Sequence, residues 1–287
     1  MVETSVRGAW SWTQRAAVIT GGGGLLGRGM ARAFARRGMD VVLADLSVKP
    51  GMGMFGPVGA GAVADEVRSM GRRAIAVATD VTDPASVARL AETAYREFGR
   101  ISLLCNNAGI ARVGEVADLT LDDWNVVLDV HLKGVIHGLN AFLPRMIASG
   151  GPCHIVNTAS MSGVGLAALR SNNAPYTTAK FAIVGLTEAV GPGLGKHNIG
   201  ASVLCPGMTV PDPHAPREMK VASAAVYKDN LLGPDEVGEE VAHGVEENRL
   251  HIFPHRAGRY EVESRHALLM AGFDQAEATS PPLRTTS

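Results

Sequence analysis

Cysteine is scarce, charge of the two signs nearly cancels, and no hydrophobic run is long. The 287 residues include three cysteines, Cys105, Cys153 and Cys205, with no metal-ligand spacing among them. An odd count without a secretory leader argues against a disulfide framework and leads us to expect reduced thiols in a cytoplasmic protein. Lys and Arg number 27 against 28 Asp and Glu, a formal charge of −1. No basic face for nucleic acid and no polybasic run for a membrane surface is therefore expected. No stretch of about 18 apolar residues occurs, and the opening MVETSVRGAWSWTQR lacks the apolar segment of a signal peptide. No nucleic-acid or membrane partner is expected.

Apolar residues make up 46 %, enough for a real core, which excludes a mainly disordered chain. The 34 glycines follow no G-x-y period, which excludes collagen. Short apolar runs predict strands at Ala16–Thr20, Asp40–Ala44, Ala74–Ala78, Ile101–Asn106, His154–Thr158, Ala201–Cys205 and His251–Phe253. Helical patterns alternate with them at Leu25–Arg37, Ala62–Met70, Pro84–Phe98, Leu121–Ala148, Pro175–Lys196, Pro234–Glu247 and Tyr260–Ala271. Such alternation predicts an α/β fold, a doubly wound parallel sheet with helices on both faces. Three stretches break the pattern: Ser47–Gly61 and Met208–Pro216 as loops, and Gly191-Pro192-Gly193 as a kink or break in a helix.

The chemistry-bearing residues cluster at strand ends. The first strand runs into Thr20-Gly21-Gly22-Gly23-Gly24-Leu25-Leu26-Gly27 and then a helix, a turn able to approach a pyrophosphate. The next strand ends in Asp45, 24 residues after Gly21. Asp45 either accepts from adenosine ribose hydroxyls, favouring NAD over NADP, or simply caps a loop. Thr79-Asp80-Val81 and Asn106-Asn107-Ala108-Gly109 close the third and fourth strands, suiting adenine and ribose contacts or ordinary turns. Tyr176-Thr177-Thr178-Ala179-Lys180 sets Tyr and Lys on one helix face. An ammonium beside a phenol lowers its pKa, as acid–base work requires; the alternative is an idle exposed pair. Ser160, with Ser162 as competitor, ends the fifth strand where a hydroxyl can hold a substrate oxygen. No Ser lies in a G-x-S-x-G elbow, which argues against a hydrolase.

In order, TGGGGLLG, VVLAD, TDV, NNAG, the Ser160 strand end, YTTAK and Cys205-Pro206-Gly207 resemble the short-chain dehydrogenase/reductase family over roughly residues 14 to 255. The resemblance implies a single Rossmann-type domain over 14–257, NAD(P) binding and reversible oxidation of an alcohol to a carbonyl. It implies Tyr176 as general acid/base, Lys180 as the group that lowers its pKa and holds the nicotinamide ribose, and Ser160 as the substrate-orienting hydroxyl. By the same resemblance Gly21, Gly24, Leu26 and Gly27 line the pyrophosphate turn, Asp45 takes the ribose, and Asp80 and Val81 flank adenine. Asn107, Ala108 and Gly109 support the adenosine half, and Pro206, Gly207 and Thr209 lie beside the nicotinamide.

Four positions depart from the family pattern. Leu25 stands where a glycine is usual, so Gly24 carries the turn. His131 stands where many members have the Asn that completes a catalytic tetrad; a His can also donate and accept, so it is a catalytic candidate that keeps the proton relay, the alternative being a packed helical His. The Ser160–Tyr176 separation of 16 residues is longer than is commonest, and Pro211 replaces a Thr. DVHLKGVIHG, LPRMIASGG and ENRLHIFPH are similar to a subgroup that oxidises bulky, often aromatic or terpenoid, secondary alcohols. Relatives acting on hydroxyacyl thioesters are the alternative, and a non-catalytic dinucleotide-binding sensor is another. A homodimer or homotetramer through the helices around 121–148 and 175–196 is implied. Residues 258–273 are expected to form a C-terminal helical extension and 274–287 a disordered tail.

Overall fold

The computed structural model describes residues 10–49, 59–110, 112–165, 172–209 and 232–279. Seven strands form one sheet: β1 (Ala16–Thr20), β2 (Asp40–Asp45), β3 (Ala74–Ala78), β4 (Ile101–Asn106), β5 (Cys153–Thr158), β6 (Ile199–Leu204) and β7 (His251–Ile252). Every pairing is parallel and the order is β3-β2-β1-β4-β5-β6-β7. The chain winds outward from β1 to β3, then crosses to β4 and winds the other way. The crevice between β1 and β4 is thus the switch point at which such sheets bind ligands.

Side-chain alternation divides the core between the two faces of the sheet. Ala17 and Ile19 of β1 pack with Met30 and Phe34 of α1 (Leu25–Arg36), Val63 and Val67 of α2 (Ala60–Ser69), and with Val237 and Val241 farther along the chain. Ala16 and Val18 face the other way, toward α3 (Pro84–Phe98), whose Val87 and Leu90 are buried. That second layer is completed by a helical run over 121–148 and by α6 (Ala174–Gly195). Asp83 caps α3 by accepting from the Ala85 N–H at 2.8 Å, with Pro84 at the first helical position as expected. Val237 and Val241 belong to α7 (Pro234–Glu246), which lies along α1. There Arg36 and Arg37 meet Glu239 at 2.7 and 2.6 Å.

Three elements differ from expectation. The run over 121–148 comprises α4 (Leu121–Leu128), a π-turn at Asp129–Lys133 and α5 (Gly134–Ala148). By length and hydropathy that run would pass as a membrane span. It lies on the sheet instead, burying Val135, Leu139, Phe142 and Met146. Pro192 does not break α6: it lies on the exposed side, while Gly191 and Leu194 face the core. The Glu188 carbonyl that loses its partner belongs to an exposed residue, so water can serve it. The last helix, α8 (Arg259–Thr279), runs well past residue 273 into the expected tail. Residues 50–58 of the first expected loop, 210–216 of the second, with Pro211, and 280–287 of the tail lie outside the described residues.

Candidate active site

The glycine-rich turn forms where β1 ends at the switch point. Gly21 has φ +64°, and a Cβ there would sit 2.9 Å from Ala108 Cα, so only glycine lets the turn approach the β4 end. The Gly24 N–H donates to Gly21 O at 3.1 Å, and Gly24 is the N-cap of α1. Leu25 is simply the first helical residue, with Gly24 serving the turn. No side chain caps α1, which leaves its N-terminal amides facing the crevice beside Leu26 and Gly27. Asp45 stands at the rim: Oδ2 accepts from the Gly23 N–H and Oδ1 from the Leu46 N–H, both at 2.9 Å. A crowded glycine turn, an uncapped helix N-terminus and a rim carboxylate fit a dinucleotide diphosphate and ribose.

The remaining residues expected on the adenosine side are held by contacts the sequence did not announce. Thr20 Oγ1 accepts from the N–H groups of Asn107 (2.9 Å) and Ala108 (3.1 Å). Asn107 Nδ2 donates to Thr20 O at 3.0 Å, while its Oδ1 accepts from Thr158 Oγ1 at 3.2 Å. Asn107 thereby ties β1 to β5 across β4. Asp80 Oδ1 accepts from both the N–H and the hydroxyl of Thr82, at 2.8 and 2.7 Å, so its carboxylate serves a local turn. Val81 is buried, and His137 on α5 donates through Nδ1 to its carbonyl at 2.8 Å.

Ser160, Tyr176 and Lys180 come together beyond β5. Ser160 is buried in extended backbone, its Oγ accepting from the Ser162 N–H at 3.0 Å. Its side chain acts on the Tyr176 phenol, lowering the phenol's pKa, and no such effect comes from Ser162. Tyr176 is half-buried in the first turn of α6, with Pro175 beside it. One turn on, Lys180 is 3 % exposed. Its Nζ donates to Thr158 O at 2.7 Å and lies 5.3 Å from the centre of the Tyr176 ring. The titration balance differs from expectation. Burial pushes the phenol above its ordinary value, opposed by the Ser160 hydrogen bond. Burial also brings the Lys180 amine down to about 7. The expected lowering of the phenol by a full ammonium is outweighed because both groups are desolvated and the amine is aimed at a carbonyl.

His131 projects from the π-turn and is 2 % exposed. Its Nε2 lies 3.0 Å from Ile110 N and 2.7 Å from Ile110 O, and its ring stands edge-on to Tyr176 with centres 5.2 Å apart. Gly109 packs so closely that a Cβ would come within 2.6 Å of His131 Cε1. Burial first, and then the Lys180 charge, lowers its pKa to about 3, so the ring is neutral. Pro206 O accepts from the Met161 N–H at 2.9 Å, joining the segment after β6 to the one that carries Ser160. Thr209 Oγ1 is buried there without a partner among the described residues.

The short-chain dehydrogenase family model matches residues 15–220. This chain is a short-chain dehydrogenase/reductase. It is 34 % identical over 263 residues to the C alpha-dehydrogenase of Sphingobium sp. strain SYK-6, covering 86 % of this chain and 82 % of that one. It is also 34 % identical to the 1-deoxy-11-beta-hydroxypentalenate dehydrogenase of Streptomyces avermitilis, over 241 residues and 83 % of each chain. A short-chain dehydrogenase/reductase from Burkholderia phymatum, solved in complex with NAD, superposes with a TM-score of 0.76. It is 30 % identical, over 97 % of this chain and 99 % of that one. Oxidoreductase chemistry with NAD or NADP at the switch-point crevice follows from membership. Among the described residues no cluster of His, Cys, Asp and Glu is arranged to hold a metal.

Proposed function

We propose that this short-chain dehydrogenase interconverts a bulky secondary alcohol and its ketone, with NAD as the preferred dinucleotide. The observation that carries the reading is the Lys180 amine, buried 5.3 Å from the Tyr176 ring, with the Ser160 side chain acting on the same phenol. When bound, NAD supplies the hydride acceptor. Ser160 holds the substrate oxygen, and Tyr176 takes the hydroxyl proton during oxidation or returns it during reduction. Lys180, protonated below about pH 7, favours the phenolate through its charge. His131, neutral and committed through Nε2 to Ile110, is read as a brace for Gly109 and Ile110 rather than as a proton carrier.

Asp45 supports NAD, since a carboxylate at the ribose repels a 2′-phosphate. A bulky, apolar substrate is supported by the pentalenate-type relative and by the exposed apolar side chains of Val113 and Val116 after β4 and of Met208 after β6. The first turn of α8 lies against Gly165. Self-association is supported by the half-bare apolar run over 121–148, where Leu121 and Ile136 are exposed. A cytoplasmic setting is supported by three free, buried thiols.

The test is a spectrophotometric screen of aryl, terpenoid and hydroxyacyl-thioester alcohols with NAD and with NADP. Turnover of an aryl or terpenoid alcohol with NAD is expected. Turnover confined to thioesters, or none with tight dinucleotide binding, would refute the reading. Asp45→Ala is expected to shift the NAD:NADP preference toward NADP by about tenfold or more, the equivalent of about 1.4 kcal/mol. A wild-type preference for NADP would contradict the role given to Asp45.

A further inference from the structure

His255 lies beyond the segment matched by the family model, at the end of the ENRLHIFPH stretch that carries only the subgroup likeness. It follows β7, in His251-Ile252-Phe253-Pro254-His255, and is 3 % exposed. Both ring nitrogens are used on one short piece of backbone. Nδ1 accepts from the Gly207 N–H at 3.0 Å, and Nε2 lies 2.9 Å from Met208 O. Nδ1 is an acceptor, so Nε2 carries the proton and donates to Met208 O. A single neutral tautomer satisfies both bonds, and burial, which lowers the ring's pKa, favours that neutral form. The ring also lies flat enough on Gly207 that a Cβ there would meet His255 Cγ at 3.0 Å. The contact is therefore specified from both sides, a histidine with both nitrogens placed and a residue with no side chain.

The strand pairing aims this clamp. The Cys205 N–H donates to Ile252 O at 2.9 Å, which sets the end of β6 beside β7 and brings His255 level with Gly207. Across the same segment the Met161 N–H reaches Pro206 O, one residue after Ser160. Residues 206–208 are thus stretched between the catalytic edge on one side and His255 on the other. They stand on the Ser160–Tyr176–Lys180 side of the crevice, not at the glycine-rich turn.

We infer that His255 is a positioning residue for the nicotinamide half of the dinucleotide site. It holds Gly207 and Met208 in the form that receives the ring, and it has no part in holding the adenosine half. The inference rests on the dinucleotide reading proposed above, so its test separates the two. Pre-ordering of a binding segment appears as affinity, and only for ligands that reach that segment. NAD and ADP-ribose share every group except the nicotinamide, which makes their affinity ratio the diagnostic quantity.

Wild type, His255→Ala, His255→Asn and His255→Gln are titrated calorimetrically with NAD and with ADP-ribose. Thermal melts confirm that each variant is folded. In His255→Ala the affinity for NAD is expected to fall about tenfold, the equivalent of one hydrogen bond, while that for ADP-ribose changes less than about twofold. His255→Asn, whose side-chain oxygen can replace Nδ1 as acceptor for Gly207, is expected to recover more of the loss than His255→Gln. A uniform loss for both ligands, or no loss in any variant, overturns the clamp. Should wild type bind neither ligand, the dinucleotide reading fails. The clamp itself is then decided by amide hydrogen exchange of the peptide spanning 205–209: faster exchange in His255→Ala than in wild type supports it, and equal exchange overturns it.

Discussion

Lys180 shows how a single residue trades stability for chemistry. Its amine is buried with the Thr158 carbonyl, the Tyr176 ring and the Cys205 thiol as neighbours, and burial brings its pKa to about 7. A charge held there below pH 7 costs folding energy. Lys180→Met is therefore expected to raise unfolding free energy at pH 6 by more than about 1.4 kcal/mol, the equivalent of one pKa unit, while turnover collapses. Urea melts beside a turnover assay check it, and a less stable variant would contradict the account. His131 and His154 act in the opposite pH range. Both are buried and held neutral down to about pH 3, whereas in the unfolded chain they protonate near 6.5. Their folded pKa lies below the unfolded one, so stability is full above about 6.5 and falls as pH drops toward 3. Between pH 6.5 and 5 each is expected to remove about 2 kcal/mol. Substituting His154, whose Nε2 meets Ser202 Oγ at 2.8 Å at the far end of β5 from Ser160, is expected to flatten that loss in urea melts at the two pH values. An unchanged slope would show the ring is not held neutral.

At the scale of elements, most of what the sequence announced was backbone-local, and most of what it hid was tertiary. Strand ends carrying Asp45, Asn107 and Ser160 were legible because apolar runs stop where glycine and small polar residues begin. Tyr176 and Lys180 were legible because a four-residue spacing has one meaning on a helix. The π-turn at Asp129–Lys133 leaves no periodic trace over five residues, yet it sets the position of His131. The α6 helix passes through Gly191-Pro192-Gly193 because its buried side, not its local propensity, decides. A buried polar chain was equally invisible. Asn106 Nδ2 donates to Asn157 Oδ1 at 2.9 Å, Asn157 Nδ2 to Thr187 Oγ1 at 3.1 Å, and Thr187 Oγ1 to Ile183 O at 2.7 Å. This chain joins β4, β5 and α6 beneath Ser160, Tyr176 and Lys180. Asn157→Ala strands polar groups on both sides, and a loss of about 1–3 kcal/mol in chemical denaturation is expected. A neutral result would mean that the chain is dispensable.

For the whole molecule, the doubly wound sheet gathers residues from six strand ends, the α6 helix and the π-turn at a single edge, while the outlying parts serve that edge less directly. Trp12, ahead of the expected domain start, packs on Phe34 and donates to Glu246 at 2.6 Å, so the fold's outer layer begins earlier than residue 14. At the other end α8 buries no residue and exposes Tyr260, Leu268, Leu269, Met270 and Phe273. Its contacts are few, among them Arg265 over Phe181 at 4.7 Å and Val262 against the second core layer. Removing residues 259–287 is thus expected to leave the melting temperature within about 4 °C of wild type, a shift worth about 1 kcal/mol or less. A collapse of the fold would show that α8 is part of the core. The central claim is that Tyr176 moves the substrate proton at a site that binds a dinucleotide. Its most direct test is Tyr176→Phe assayed at the nicotinamide absorbance, with NAD affinity measured on the same protein. The account predicts turnover reduced at least about 10²-fold with NAD affinity retained; undiminished turnover would contradict it.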